Sequence, residues 1–406
     1  MGEEPACGWV YVDNAATTAL SEPARAAMEP FLGVAGNRTD GPEVPLFGNP
    51  SGSHRIAREA TRALDEARER VAEALGCAPG EVVFTSGGTE ADNLAVTGGL
   101  PVREGRPVCS AVEHPAVLGV TRALGGDLVA VDRTGRVDLD ALAEVLDLAA
   151  RTHGGVSVVS VMTANNELGT INDIDAVAAV VAEHSPGTPL HTDAVQAAPW
   201  LDLAEVAGSA QLVSVSAHKL GGPKGTGALV VRSGTTVRPL LHGGGQERNR
   251  RGGTHDVAGI VGFAAALGEA VAEREARCRR VAALRDDLRS RLVSIDGVSL
   301  TLGDSDAPVL PGHLHVLVEG VVGEELLLLL EQRRICASAA SSCSSGASAP
   351  SHVLGAIGAE ANLAPLRLSL GSSSGPADVR AVAEGLEWAL RRVGDRGADG
   401  ARRRVT

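Results

Sequence analysis

Lysine is nearly missing from this chain. Of 37 basic residues only Lys219 and Lys224 are lysine, and the rest are arginine. A lysine kept where arginine is the default points to chemistry that a guanidinium cannot do, namely losing a proton when desolvated and attacking a carbonyl. Aromatic residues are scarce too, at 2%, so the core has to be built mostly from Val, Leu and Ala. No apolar run reaches the roughly 18 residues needed to span a bilayer, and the longest candidate, Leu326 to Leu330, fits an amphipathic helix. Positive charge is short: 37 basic against 50 acidic residues gives −13, without a basic stripe. Direct binding to nucleic acid or to an anionic membrane surface is therefore disfavoured. The six cysteines (Cys7, Cys77, Cys109, Cys278, Cys336, Cys343) show no CxxC spacing, which indicates neither a zinc site nor a disulfide framework. The N-terminus lacks the basic and apolar regions of a signal peptide, and a cytoplasmic location is expected. No GxGxxG follows the first strand, which argues against a nucleotide-binding dehydrogenase.

What is present is an alternation of buried strands and Ala-rich helices. Strand patterns occupy Glu81 to Thr85, Val108 to Ala111, Val156 to Met162, Leu190 to Thr192, Leu212 to Val215 and Gly227 to Val231. Helical spacing is clear from Ile56 to Leu75, with Gly76 as a stop. Such alternation implies right-handed βαβ units and a mainly parallel α/β sheet. From Ile260 to about Ser294 the pattern predicts one long amphipathic helix. Strands at Val298 to Leu302 and Leu314 to Val318, a final strand containing Arg367, and a last helix from Pro376 to Val393 suggest a second, smaller layer. The Ser/Ala/Gly segment 334–351 is flexible by composition, and the Arg/Gly tail 394–406 is expected to be disordered.

The chemistry-bearing residues fall at strand ends, where α/β sheets bind their ligands. Strand, glycine pair, hydroxyl and helix start, in Thr-Ser-Gly-Gly88-Thr89, is the layout of a phosphate cradle facing the positive end of a helix dipole. Other strands lead to His114, Asn166, Asp193 with Gln196 three residues on, and Ser216-Ala-His218-Lys219. Singly, each is an ordinary loop residue; as an ordered set they match the needs of pyridoxal phosphate (PLP). Lys219 would hold the aldehyde covalently. Asp193 would pair with the pyridine nitrogen and keep it protonated. His114 would stack on the ring, Gln196 would bond its phenolic oxygen, and Thr89, Ser216 and His218 would hold the phosphate.

Together these motifs resemble the cysteine desulfurases of the NifS/IscS type, in the aminotransferase class V family of fold-type I PLP enzymes. The resemblance runs from Val12 to about Val393. It rests on Tyr-Val-Asp-Asn-Ala-Ala-Thr-Thr, Phe-Gly-Asn49-Pro-Ser, Thr-Ser-Gly-Gly-Thr-Glu-Ala-Asp-Asn, Glu-His-Pro-Ala-Val-Leu, Asn-Asn-Glu-Leu-Gly, His-Thr-Asp-Ala-Val-Gln, Ser-Ala-His-Lys, Gly-Gly-Gly-Gln-Glu-Arg, Arg-Gly-Gly-Thr254 and Leu-Arg367-Leu-Ser-Leu-Gly. It implies a large PLP-binding domain with a mainly parallel seven-stranded sheet over 16–260. A small α/β domain from 1–15 and 261–393 would carry a mobile cysteine loop. It further implies a homodimer in which Thr254 reaches the partner's cofactor phosphate. Arg367 would bind the substrate carboxylate, and Asn166 and Asn49 would contact the substrate. Cys343 would attack the sulfur of L-cysteine and carry it as a persulfide to an acceptor protein, leaving alanine. Cys336, the competing thiol, sits at the apolar entry to that loop and reads as structural. No resident metal is implied, although Cys343 could transiently ligate an iron–sulfur cluster.

The chain departs from its relatives in three places. The segment before Cys343 lacks a customary glycine, the Gly33–Phe47 loop is longer, and the chain ends soon after its last helix. The last point turns the expectation from a housekeeping iron–sulfur scaffold towards a specialised acceptor, serving tRNA thiolation, DNA phosphorothioation or thio-cofactor synthesis. Rival readings are selenocysteine lyase or another class V aminotransferase or lyase, neither of which needs a protein thiol, and a degenerate scaffold subunit that is not an enzyme.

Overall fold

Seven short runs, buried along their length or nearly so except at the edge strand Asp127–Val129, form one sheet in the computed structural model. The structure describes residues 8–33, 45–99, 104–152, 154–339, 351–360 and 362–403. Across the sheet the strands are Val82–Thr85, Gly227–Val231, Leu212–Ser216, Leu190–Asp193, Val156–Ser160, Arg106–Ser110 and Asp127–Val129. The last five run parallel, and Gly227–Val231 is antiparallel to both of its neighbours. A parallel sheet of this kind is covered by helices on its faces, which is why its strands read as apolar runs rather than as alternation. The helix Gly88–Gly99 packs on the strands Val156–Ser160, Leu190–Asp193, Leu212–Ser216 and Gly227–Val231.

A smaller antiparallel sheet orders Ala364–Ser369, His313–Val318 and Val298–Leu300. The N-terminal strand Val10–Tyr11 pairs in parallel with Ile335–Cys336, and Asp13 bridges to Ser369. The residues after Tyr11 are thereby led from the small sheet to the C-terminal ends of the large one.

Helix Arg55–Ala74 starts where His54 Nδ1 accepts from Ala57 N at 3.2 Å and stops before Gly76, whose φ is +62°. Only glycine takes that left-handed conformation without strain. Two expectations are corrected. The single helix foreseen from Ile260 to Ser294 is two helices, Val257–Ala272 and Arg274–Leu292, meeting at Glu273. The first is apolar nearly all round and buries against Glu22–Met28 and Arg55–Ala74. The second is charged and packs by a narrow stripe on Pro376–Arg403. Two packing partners require two axes, and the break lies where the composition changes. The tail foreseen as disordered is helical as far as Arg403, because extending a formed helix is far easier than starting one, even through glycines.

Phe263 is fully buried in the middle of the apolar helix. Phe263→Ala should destabilise the protein by about 3–5 kcal/mol in denaturant unfolding, through lost transfer energy and a residual cavity.

Candidate active site

The site begins where the strand Leu212–Ser216 ends. The next residues, Ala217–Lys219, form one 3-10 turn that aims the lysine at the N-terminal segment. Lys219 Nζ donates to the carbonyl of Ala15 and, at 2.8 Å, to that of Ala16. The same segment is tied down on other sides. Gln196 Nε2 donates to Ala15 O at 2.7 Å, Thr18 Oγ1 donates to His218 O at 2.9 Å, and His218 Nδ1 lies 3.1 Å from Thr17 Oγ1. A cavity of roughly 260 Å³ opens beside Lys219, with Asn14, Ala15, Trp200 and His313 in its wall.

Asp193 closes the neighbouring strand and is buried, with its Oδ1 accepting from Val195 N at 2.9 Å. Burial lifts its carboxyl to about 6, against the opposing pull of the Val195 amide and of Lys219. His114 caps the helix Pro115–Ala123, where its Nδ1 accepts from Ala116 N at 3.2 Å. Its ring proton therefore sits on Nε2. Burial first, then Lys219 and His352, push His114 down to about 4. Burial, Lys219 and Lys224 do the same to His218, also to about 4. Both imidazoles are neutral at physiological pH.

The cradle follows the strand Val82–Thr85. Gly87 has φ +141°, and a Cβ on Gly88 would come within 2.9 Å of Val195 Cγ2. Glycine is thus required where the helix Gly88–Gly99 opens. Beside it, Ser216 Oγ is buried without a hydrogen-bond partner. An orphaned buried hydroxyl has no partner within the protein and suits an incoming acceptor. Thr89 at the same helix start is exposed. Donors for a phosphate at Gly88 and Ser216, a buried carboxyl at Asp193 and an amine at Lys219 together fit PLP.

On the other side Arg367 is almost wholly buried. Its Nη2 is 2.6 Å from Asp13 Oδ1, its Nη1 donates to Asn166 O at 3.0 Å, and its Nε has no partner. Asn166 itself is buried. Sequence reasoning singled out Asn166 and Arg367 but missed the Asp13 carboxylate that orients the guanidinium, although it lies within the quoted Tyr-Val-Asp-Asn motif. Asn49 is exposed and bonded within its own turn, its Oδ1 accepting from Ser51 N at 3.0 Å. Cys336 closes the strand Ile335–Cys336, and burial raises its thiol. Cys343 lies outside the described residues.

Thr254 is exposed, in a segment anchored by a group that the sequence did not flag. Glu247 is buried and accepts a bidentate pair from Arg68 at 2.7 and 2.8 Å, His255 Nε2 at 2.6 Å, and Phe84 N at 3.2 Å. Glu247, Arg248 and Asn249 all have left-handed backbone, with φ of +48°, +55° and +63°. Each such non-glycine residue costs about 1–2 kcal/mol, and the buried ion pairs hold the turn against it.

A lysine at a strand end opposite a buried carboxyl, on a sheet of this topology, defines a fold-type I PLP enzyme. The aminotransferase class-V family model matches residues 10–382, and the chain belongs to that family. It is 43% identical over 398 residues to an IscS-like cysteine desulfurase of Mycobacterium tuberculosis, covering 94% of this chain and 96% of the relative. The cysteine desulfurase NifS of Azotobacter vinelandii is 38% identical over 356 residues, 86% of this chain and 84% of the relative. Among solved structures, a NifS-like protein superposes with a TM-score of 0.83 at 32% identity, covering 95% of this chain and all of that one.

Burial would raise the Glu247 carboxyl, but the hydrogen bonds from His255 and Arg68 outweigh it and bring it to about 2, against an ordinary 4.5. A depressed carboxylate stabilises the fold above its unfolded value, and that contribution is lost as pH falls through about 2. Glu247→Gln should therefore destabilise the protein at pH 7 by about 3–5 kcal/mol, because it strands a buried arginine. The gap between variant and wild type in equilibrium unfolding should narrow steadily below pH 4.5.

Proposed function

We propose that this protein is a PLP-dependent cysteine desulfurase that converts L-cysteine to L-alanine and passes the sulfur to an acceptor protein. The observation that carries the reading is Lys219, one of two lysines in the chain, facing the buried carboxyl of Asp193 at the ends of adjacent strands. The names of the relatives and of the NifS-like neighbour support the same activity.

When bound, the cofactor draws electrons from the substrate Cα, which lets the α-proton leave and weakens the Cβ–S bond. Asp193 is ionised above about pH 6 and would keep the pyridine nitrogen protonated. Lys219 Nζ moves the proton at Cα, for which it must be neutral; the His114 and His218 rings beside it are. With the cofactor bound, His114 would stack on its ring, Gln196 and Asn166 would hold its phenolic oxygen, and Gly88, Thr89, Ser216 and His218 would hold its phosphate. Arg367, pinned by Asp13 and the Asn166 carbonyl, keeps an unpartnered Nε–H and presents a planar donor edge to the substrate carboxylate. Asn49 would contact the substrate.

The thiolate of Cys343 attacks the substrate sulfur: an S–S bond forms, the Cβ–S bond breaks, and the electron pair stays with carbon. The same thiol hands the sulfur on, and iron–sulfur assembly, tRNA thiolation and DNA phosphorothioation are the acceptor systems in view. No described helix is long and apolar enough to cross a membrane. The reading includes a cytoplasmic homodimer with Thr254 set at the partner's phosphate, which suits its exposure. It also divides the chain into a large domain over 16–260 and a small one from 1–15 and 261–393.

Cys343→Ala should lose sulfide and alanine release from L-cysteine in the presence of dithiothreitol, while the visible absorbance of the cofactor is kept. Equal turnover in both proteins would instead favour a lyase or aminotransferase that needs no protein thiol. Arg367→Lys should leave the absorbance intact and lower kcat/KM for cysteine by roughly 10- to 100-fold, since an ammonium cannot reproduce a bidentate guanidinium contact.

A further inference from the structure

A second buried polar cluster lies behind Asp193. His191 is two residues earlier on the same strand, hence on the same face, and is fully buried. Its Nδ1 is 2.8 Å from Ser160 Oγ and its Nε2 is 2.9 Å from Ser214 Oγ. Ser160 is the register partner of His191 on one side, and Ser214 is the register partner of Asp193 on the other. Asp92 reaches this cluster from the helix Gly88–Gly99, the one that opens at the cradle. It is 1% exposed, and its Oδ1 has no hydrogen bond and lies 3.6 Å from His191 Nε2. The Ser214 hydroxyl is within hydrogen-bonding reach of its carboxyl.

Two proton arrangements satisfy this chain. With Asp92 ionised, Ser214 donates to Asp92, His191 Nε2–H donates to Ser214, and Ser160 donates to Nδ1. With Asp92 as the acid every donor reverses: Asp92 donates to Ser214, Ser214 donates to Nε2, and Nδ1–H donates to Ser160. The surroundings decide between them. Asp193 and His191 face Asp92 from the strand Leu190–Asp193, and Glu113 faces it from beyond the strand Arg106–Ser110. Burial holds the His191 ring neutral, with its value down at about 3. Asp92 thus faces two carboxyls and an uncharged ring. Burial first, then Asp193, push its carboxyl well above the usual range. An unpaired buried carboxylate would be far more costly than the neutral acid.

We propose that Asp92 carries a proton and donates it to Ser214 Oγ, so that the Ser214–His191–Ser160 chain runs in one direction and Asp193 is left to hold the negative charge facing Lys219. Asp92 is then a positioning residue. It touches neither cofactor nor substrate but joins the cradle helix to the strand that bears Asp193. This inference rests on the reading in which Asp193 lies at the pyridine nitrogen.

Three measurements on the full-length protein test it. In infrared difference spectra of the holoenzyme, Asp92→Asn should remove one protonated-carboxyl band. Nitrogen NMR of the wild type should find His191 as the Nδ1–H tautomer, a readout that needs no variant to fold. Rebinding of PLP to the cofactor-free protein should have the same pH midpoint in Asp92→Asn as in wild type. A charged Asp92 would instead raise the Asp193 carboxyl, and its removal would lower the midpoint by about one unit or more. No band lost, an Nε2–H tautomer or a lowered midpoint would each overturn the proposal. Asp193→Asn is the control, expected to weaken PLP rebinding at least tenfold. If it binds PLP as wild type does, the underlying site reading fails, while the band and tautomer still report on Asp92.

Discussion

A buried carboxyl opposite a lysine amine is the constraint on which the rest of the site depends. Neither group is comfortable alone. Asp193 is pushed up by burial and drawn back by the Val195 amide and by Lys219. Lys219 has the carbonyls of Ala15 and Ala16 as hydrogen-bond acceptors. The parallel sheet puts the two residues at the same end of adjacent strands, and the histidines beside Lys219 stay uncharged, first because burial disfavours their charged form and then because Lys219 repels a second cation. An amine that is to work as a base or a nucleophile near neutral pH needs this kind of surrounding.

The site is also a junction between the two sheets. Ala15 follows a strand paired with Ile335–Cys336, and Arg367 lies on the small sheet, yet both meet groups at the ends of the large one. The Arg367–Asn166 contact makes the position of the guanidinium dependent on how the small sheet sits against the large. Buried groups of this sort are held by few partners, and losing one leaves the other unsatisfied. The Glu247 cluster likewise joins Arg68, Phe84 and His255 through a single carboxylate.

Much of this was legible in the residues. The apolar runs located six of the seven strands of the large sheet, missing the short, partly exposed edge strand Asp127–Val129, and the scarcity of lysine drew attention to Lys219 before any geometry was known. Composition alone did not reveal the break at Glu273, although it changes there from apolar to charged, because both halves of the segment are helical. Nor could it foresee the turn at Glu247–Asn249. Gly-Gly-Gly-Gln-Glu-Arg-Asn reads as a flexible loop, and its left-handed backbone is sustained by Arg68 and His255, one of them far away in sequence. Asp92 was hidden for a different reason. It stands in the cradle motif, but on the face of the helix turned towards the sheet, where it meets His191 rather than an anion.

The central claim is that the site removes sulfur from cysteine and places it on the protein. The most direct measurement is a single turnover of the holoenzyme with L-cysteine and no reductant, followed by alanine analysis and mass spectrometry of the peptide containing Cys343. The account predicts one alanine per subunit and one added sulfur atom on Cys343, with turnover stopping there until a thiol is supplied. Alanine without protein-bound sulfur, or sulfide released freely over many turnovers, would contradict it.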